Sequence, residues 1–117
     1  MKKQNVISEN YLLRKPMRHP SLRWTTGEDG IVTLERDNVG FANRLAQKLL
    51  RKPKVSYIHL DAMGSFLWPL LDGEQDLTAL GKLVDARFGE EAHPLYERLA
   101  KYVQILDSYG FIAWNKE

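Results

Sequence analysis

Histidine and cysteine are the side chains from which a metal centre or a nucleophilic site is most often built. The three histidines, His19, His59 and His93, lie in three unrelated segments. No two of them have the i, i+4 spacing that places two imidazoles on one helix face for a metal. The chain has no cysteine, which removes thiolate metal sites, disulfides and cysteine nucleophiles. We therefore expect no metal site.

Acidic residues come nearest to a ligand pattern at positions 72–76. Asp72, Glu74 and Asp76 alternate along the chain as in a calcium-binding loop. Such a loop needs glycine at its sixth position and glutamate at its twelfth. This chain has Leu77 and Leu83 at those positions. We interpret the stretch as a turn between helices.

Patterns typical of catalysis are missing from the rest of the sequence. The eight glycines form no phosphate-binding cluster, and no serine lies in the elbow motif of hydrolases. The pair Glu90-Glu91 lies in a charged stretch, without the apolar surroundings that tune an acid–base catalyst. We expect a protein that is not an enzyme and that uses no cofactor.

Composition predicts one small globular domain. The chain has 117 residues, of which 44% are hydrophobic and 27% charged, enough for a single core. The lack of cysteine fits the reducing cytoplasm. Charge or proline interrupts every apolar segment, so we expect no membrane span and no membrane partner.

Residues 1–54 carry 12 Lys/Arg against 5 Asp/Glu, whereas residues 55–117 carry 5 against 10. The two halves therefore face different partners, or each other.

The first half of the chain predicts an arm, a hairpin and a helix. Pro16 and Pro20 favour an extended N-terminal arm over residues 1–20, followed by one domain over residues 21–117. Two β-prone runs flank the turn Gly27-Glu28-Asp29-Gly30, which predicts a β-hairpin over 22–36. Residues 41–52 predict a strongly basic amphipathic helix. That helix is either an ordinary surface helix or a docking patch for an acidic partner.

The second half predicts alternating apolar faces. Residues 55–60 alternate as a half-buried strand. Helices follow over 62–71, with Asp61 as N-cap and Pro69 bending the last turn, over 76–88 and over 94–109; a short strand ends the domain. The fold class is α+β, with a small antiparallel sheet packed on three helices. Its predicted core contains Phe66, Leu67, Leu70, Leu80, Val84, Leu99, Val103 and Leu106.

The segment 55–110 resembles the PqqD family, the small proteins named from pyrroloquinoline quinone (PQQ) biosynthesis. The residues that carry the resemblance are Ile58-His59-Leu60-Asp61, Gly64, Phe66, Trp68, Leu71-Asp72-Gly73, Leu77, Leu80, Phe88-Gly89, Leu99, Leu106 and Gly110-Phe111-Ile112. The resemblance implies a winged helix-turn-helix-like fold that recognises ribosomally made, modified peptides. It implies a non-enzymatic chaperone that binds the leader of a precursor peptide and presents it to a modifying enzyme, often of the radical S-adenosylmethionine (SAM) class. A pathway other than that of PQQ itself is the expected setting.

The resemblance also implies where the leader binds. The peptide is expected as an added strand along 55–60 and against the helix at 94–109, by β-augmentation. We expect Arg98 and Lys101 to suit an acidic peptide. Alternatively, a homodimer or the N-terminal arm covers this edge. The predicted peptide-binding residues are Val55, Tyr57, His59, Arg98, Lys101, Tyr102 and Ile105.

A DNA-binding winged helix is the alternative function, because the helices at 76–88 and 94–109 could form a helix-turn-helix. Charge counts against it. Residues 76–110 carry four Lys/Arg against six Asp/Glu, so this pair of helices would enter a phosphate-lined groove against repulsion. We expect no specific nucleic-acid binding.

Overall fold

A computed structural model describes residues 9–37 and 55–115 of the chain. The predicted basic helix at 41–52 lies outside the described residues. The chain forms two compact units, one of residues 20–65 and one of residues 1–19 with 66–117. Within the described ranges, no helix is long and apolar enough to cross a membrane. The α+β class is confirmed, whereas the boundary at residue 20 and the winged-helix detail stay predictions.

The unit of residues 20–65 contains a three-stranded antiparallel sheet. Its strands are β2 (Arg23–Thr26), β3 (Val32–Asp37) and β4 (Val55–His59), in the order β2-β3-β4. The hairpin predicted over 22–36 is confirmed by the pairing of β2 with β3. Its turn closes with the Gly27 N–H donating to the Ile31 carbonyl over 2.9 Å. Gly30 has φ +83°, a conformation that glycine adopts at little cost.

A serine hydroxyl completes the ladder between β3 and β4. The Leu60 N–H donates to the Val32 carbonyl over 2.9 Å. The Val32 N–H donates instead to Ser65 Oγ over 2.8 Å, and this hydroxyl donates to the Leu60 carbonyl over 3.4 Å. Ser65 is 7% exposed. It therefore bonds to two backbone groups, the Val32 N–H and the Leu60 carbonyl, in a buried position.

The helix after β4 begins as its sequence predicts and ends in a tighter turn. Helix α2 spans Ala62–Leu67, and the preceding Asp61 carboxylate accepts from the Gly64 N–H over 2.8 Å. The chain continues as a 3-10 turn over Trp68–Leu70, with Pro69 inside it. Because proline removes a backbone donor, the α-helix gives way to the 3-10 turn there.

Two longer helices belong to the other unit. Helix α3 (Leu77–Phe88) begins at Asp76, whose carboxylate accepts from the Ala79 N–H over 2.8 Å, and ends at Gly89. Helix α4 (Leu95–Ser108) begins after Pro94. All of these boundaries agree with those predicted within about two residues.

The two long helices approach each other closely at Gly81. The ring of Tyr96 occupies the space that a Cβ at position 81 would fill. The Tyr96 hydroxyl donates to the Thr78 carbonyl over 3.1 Å. Glycine at 81 is therefore a packing requirement, which helical periodicity does not reveal.

The N-terminal residues differ from the predicted extended arm. Residues Glu9–Leu12 form a short helix, α1. Residues Lys15–Arg18 form strand β1, which pairs antiparallel with the C-terminal strand β5 (Ile112–Asn115). The described strands thus form two small sheets, and the prediction of one sheet is wrong.

A proline inside β1 is the reason that the sequence concealed this strand. The His19 N–H donates to the Phe111 carbonyl over 3.0 Å, so by alternation residues 15, 17 and 19 bond toward β5. Pro16 therefore lies at a position whose backbone faces away from β5. Its missing N–H costs no bond of that ladder.

The predicted core is largely confirmed. Six of its eight residues are buried: Leu67, Leu80, Val84, Leu99, Val103 and Leu106. Phe66 and Leu70 are only half-buried, and Phe66 instead makes an edge-on ring contact with Phe88 at 5.7 Å. Buried Trp68, Leu71 and Leu77 take further core positions.

Candidate functional site

Strand β4 lies at one edge of its sheet and carries three of the predicted site residues. Val55, Tyr57 and His59 alternate along one face, which lies opposite the face of Ile58. Tyr57 is 62% exposed, His59 is exposed, and Val55 is half-buried. A large aromatic side chain is thus displayed in the middle of an edge strand.

The backbone of these same three residues points out of the sheet. The bond from the Leu60 N–H to the Val32 carbonyl makes this a hydrogen-bonded pair. Such pairs alternate along an antiparallel ladder, so Ser56 and Ile58 also bond toward β3. The N–H and C=O groups of Val55, Tyr57 and His59 therefore face away from β3. Among the described strands, none pairs with that side of β4.

The His59 side chain is held in place at the end of the strand. His59 is paired with Thr33 on β3, and its Nδ1 lies 2.7 Å from the Thr33 hydroxyl. The ring therefore forms a fixed wall of an open cavity of about 480 Å³. That cavity is also lined by Gly27, Glu28, Asp29, Ile31 and Thr33.

Sequence reasoning missed this cavity. From the sequence, the turn Gly27-Glu28-Asp29-Gly30 predicts only a hairpin connection. Two adjacent acidic residues in a turn are the signal that was available, but the register that brings His59 to the turn was not. The pairing of Thr33 with His59 is a long-range contact that local patterns do not encode.

The other predicted site residues lie on helix α4. Lys101 is exposed, Ile105 is 44% exposed, and Tyr102 is half-buried. The Arg98 guanidinium donates to the Glu91 carbonyl, so this cation is engaged with its own chain. Residues 98, 101 and 105 follow each other at helical spacings of three and four.

The two sets of residues belong to different units. Val55, Tyr57 and His59 lie together in the unit of residues 20–65, and Arg98, Lys101, Tyr102 and Ile105 lie together in the other. The structure therefore brings together the residues of each set. The predicted groove formed by both sets stays a prediction.

The clearly shifted pKa values belong to residues outside these two sets. The His93 pKa is raised above 6.5 by a hydrogen bond from its Nε2 to the Asp85 carboxylate at 2.8 Å. Burial raises the Tyr11 pKa above 10.0. The described part of the chain contains no group of three or more His, Asp or Glu residues placed to hold a metal ion.

Comparison with known proteins supports the family that the sequence resembles. The family model for coenzyme PQQ synthesis protein D (PqqD) matches residues 47–112, more than half of the chain. The matched range includes β4 and all three helices that follow it. Searches of curated proteins and of solved structures give no significant match. With its residues from the exposed strand to the last helix inside the matched range, the chain belongs to the PqqD family.

Proposed function

We propose that this protein binds the leader segment of a ribosomally synthesised precursor peptide and presents it to a modifying enzyme of the radical SAM type. Membership of the PqqD family supports a peptide-binding accessory role of the kind used in PQQ synthesis. The protein acts in the cytoplasm as a binding partner and performs no chemistry itself. Its precursor belongs to a modified-peptide pathway other than that of PQQ.

The outward backbone of β4 is the observation that carries this proposal. Val55, Tyr57 and His59 offer three N–H and three C=O groups along a stretch of five residues. An extended peptide that pairs with them continues the sheet, and its main chain provides affinity by β-augmentation. An exposed strand edge is otherwise an aggregation hazard, so a natural partner for it also protects the protein.

Strand β2, at the opposite edge of the sheet, offers less to a peptide. It has four residues, and the closing bond of Gly27 to Ile31 makes Trp24 and Thr26 its outward positions. Two outward residues provide a shorter ladder than the three of β4. We therefore place the peptide on β4.

The α4 residues enter the proposal on sequence grounds. Lys101 and Ile105 are exposed, whereas Arg98 already donates to the Glu91 carbonyl. Whether these α4 residues bind the peptide is a separate question from whether the peptide pairs with β4. The titration described below tests the two contributions separately.

A DNA-binding role gains no support from the helices. Helices α3 and α4 with their connection retain the acidic balance seen in residues 76–110. Proteins bind DNA when Lys and Arg side chains displace the counterions of the phosphates. The net charge of these helices has the wrong sign for that. Specific duplex binding that is lost on changing Lys101 would overturn the peptide proposal.

Amide chemical shifts test the proposal directly. Peptides would be selected from a random twelve-residue display library on the full chain, and the strongest binder titrated into labelled protein. We expect the largest shifts over residues 55–60, with a second set over 95–105. A response confined to residues 41–52, or shifts explained by self-association of the protein, would contradict the proposal.

A pair of substitutions at Tyr57 isolates the backbone contribution. Tyr57→Ala removes the side chain and keeps the N–H, whereas Tyr57→Pro removes both and leaves the bonds toward β3 intact. We expect Tyr57→Pro to bind the selected peptide about twofold to twelvefold more weakly than Tyr57→Ala, since a net hydrogen bond contributes about 0.5–1.5 kcal/mol. Equal affinities in isothermal titration would show that the peptide does not pair with β4.

A further inference from the structure

The hairpin turn places two carboxylates beside the end of β4. Glu28 and Asp29 line the cavity of about 480 Å³ that His59 and Thr33 also line. Asp29 Oδ1 accepts from the Ile31 N–H over 3.0 Å, which fixes its carboxylate at the rim. The cavity thus has a polar, negatively charged end whose position does not depend on a flexible side chain alone.

Among the described residues, these two carboxylates have no cation of the kind that pairs with their neighbour on the same sheet. On the same sheet, Glu35 pairs with Arg23 at 3.4 Å. Within residues 9–37 and 55–115, neither Glu28 nor Asp29 forms an ion pair. No Lys or Arg lines the cavity. As far as residues 9–37 and 55–115 are concerned, the cavity therefore presents negative charge without a paired cation.

His59 connects this cavity to the open edge of β4. Its ring is a wall of the cavity, and its outward N–H and C=O belong to the proposed peptide ladder. A peptide residue paired with His59 has its Cβ about 4.5–5.5 Å from the His59 Cβ, on the same face. A long side chain at that position extends across the imidazole and into the cavity.

We propose that the cavity accepts a Lys or Arg side chain of the bound peptide, at the position that pairs with His59. This inference rests on the proposed binding of a peptide to β4. The aliphatic stem packs on Ile31 and the His59 ring, and the cationic group lies between the Glu28 and Asp29 carboxylates. The hairpin end then sets both the register of the peptide and its charge preference.

Selection from the same random twelve-residue library tests this specificity. On the unaltered chain, we expect Lys or Arg to be enriched at one fixed position of the selected peptides. A chain with Glu28→Gln and Asp29→Asn should lose that enrichment, since both negative charges go while Asn keeps an oxygen for the Ile31 N–H. A chain with Glu74→Gln and Glu90→Gln has the same change in net charge on exposed residues of the other unit. It should keep the enrichment.

One selected peptide then measures the effect. Replacing its basic residue by methionine should weaken binding about 1.4-fold to fivefold, by the range of about 0.2–1 kcal/mol measured for exposed ion pairs. The loss should shrink at high salt and vanish in the Glu28→Gln, Asp29→Asn chain. Peptides that shift the β4 amides without any basic preference would overturn this inference and leave the proposed function standing. Peptides that leave those amides unmoved would overturn the proposed function itself.

Discussion

Strands β1 and β4 lie in different sheets, and they differ in what bonds to the outer side of each strand, the side away from its paired strand. Beyond β1, the Arg18 N–H donates to the Leu71 carbonyl over 2.9 Å and the Gly73 N–H to the Pro16 carbonyl over 3.0 Å. Arg18 also donates from its guanidinium to the Pro69 carbonyl over 2.8 Å. Beyond β4, no described strand pairs with the outward groups of Val55, Tyr57 and His59. One outer side is closed by the chain's own backbone, whereas the described part of the chain places no further strand on the other.

With a peptide bound as proposed, the two strands would have different tasks, β1 in folding and β4 in binding. The segment that closes β1 follows the 3-10 turn of a buried tryptophan, so closure there contributes to the core of its unit. Strand β4 obtains its order from β3 on one side, where the Ser65 hydroxyl completes the ladder. On its other side no described strand pairs with it, so the peptide proposed to bind there would replace no strand pairing of the described residues.

Disrupting the backbone contact between Gly73 and β1 should destabilise the protein most. Gly73 has φ +80°, and a Cβ there would lie 3.2 Å from the Met17 Cβ and 3.1 Å from its Sδ. We expect Gly73→Ala to lower the free energy of unfolding by about 2–4 kcal/mol, from backbone strain together with overpacking. Chemical denaturation measures this change.

A second glycine provides a matched control for the strain. Gly30 has φ +83° with nothing within 4 Å of a Cβ built there. Gly30→Ala should therefore show the strain alone, about 1–2 kcal/mol. If both variants lost the same stability, the close approach of Gly73 to β1 would contribute nothing.

The inner side of β4 should respond less strongly. Ser65→Ala leaves the buried Val32 N–H without the hydroxyl to which it donates. We expect a loss of about 1–3 kcal/mol in the free energy of unfolding, the usual cost of an unsatisfied buried donor. Ser108, whose hydroxyl donates to the Ile105 carbonyl on the surface, is the control. Ser108→Ala should stay within about 0.5 kcal/mol, and an equal effect of both changes would remove the special role of Ser65.

The smallest effect belongs to a surface pair that touches neither strand. The raised His93 pKa means that protonated His93 favours the folded state. Its stabilising contribution is present in full below pH 6.5 and is lost as the pH rises through the raised value. In NMR titrations, Asp85→Asn should lower the His93 pKa toward 6.5. An unchanged pKa would show that the 2.8 Å contact with Asp85 is not its cause.

Local sequence signals predicted the helices and the hairpin, but not the pairing of strands that lie far apart in the sequence. The caps Asp61 and Asp76, the break at Pro69 and the hairpin around Gly30 all depend on nearby residues, and the structure confirms them. The pairing of β1 with β5 joins residues about a hundred positions apart. A proline rule that is sound for central strands concealed it.

In the candidate site, too, features that depend on neighbouring residues were predictable and features that depend on long-range contacts were not. The alternation of Val55, Tyr57 and His59 is visible in the sequence, and the strand carries them as predicted. The cavity beside His59 depends on the register between β3 and β4, which no local pattern encodes. Similarly, the contact of Arg98 with the Glu91 carbonyl depends on how the chain turns before α4.

The missing side chain at Gly81 makes room for the Tyr96 ring of helix α4. The Tyr96 ring lies against the backbone of α3 at this position, in the space that a side chain would otherwise fill. The same helix displays Lys101 and Ile105 to the solvent, while its Leu99 and Val103 are buried. A methyl group at position 81 would meet the Tyr96 ring, so α4 would have to move away from α3 and carry its exposed residues with it. The smallest residue of one helix thus limits where the next helix can hold its outer face.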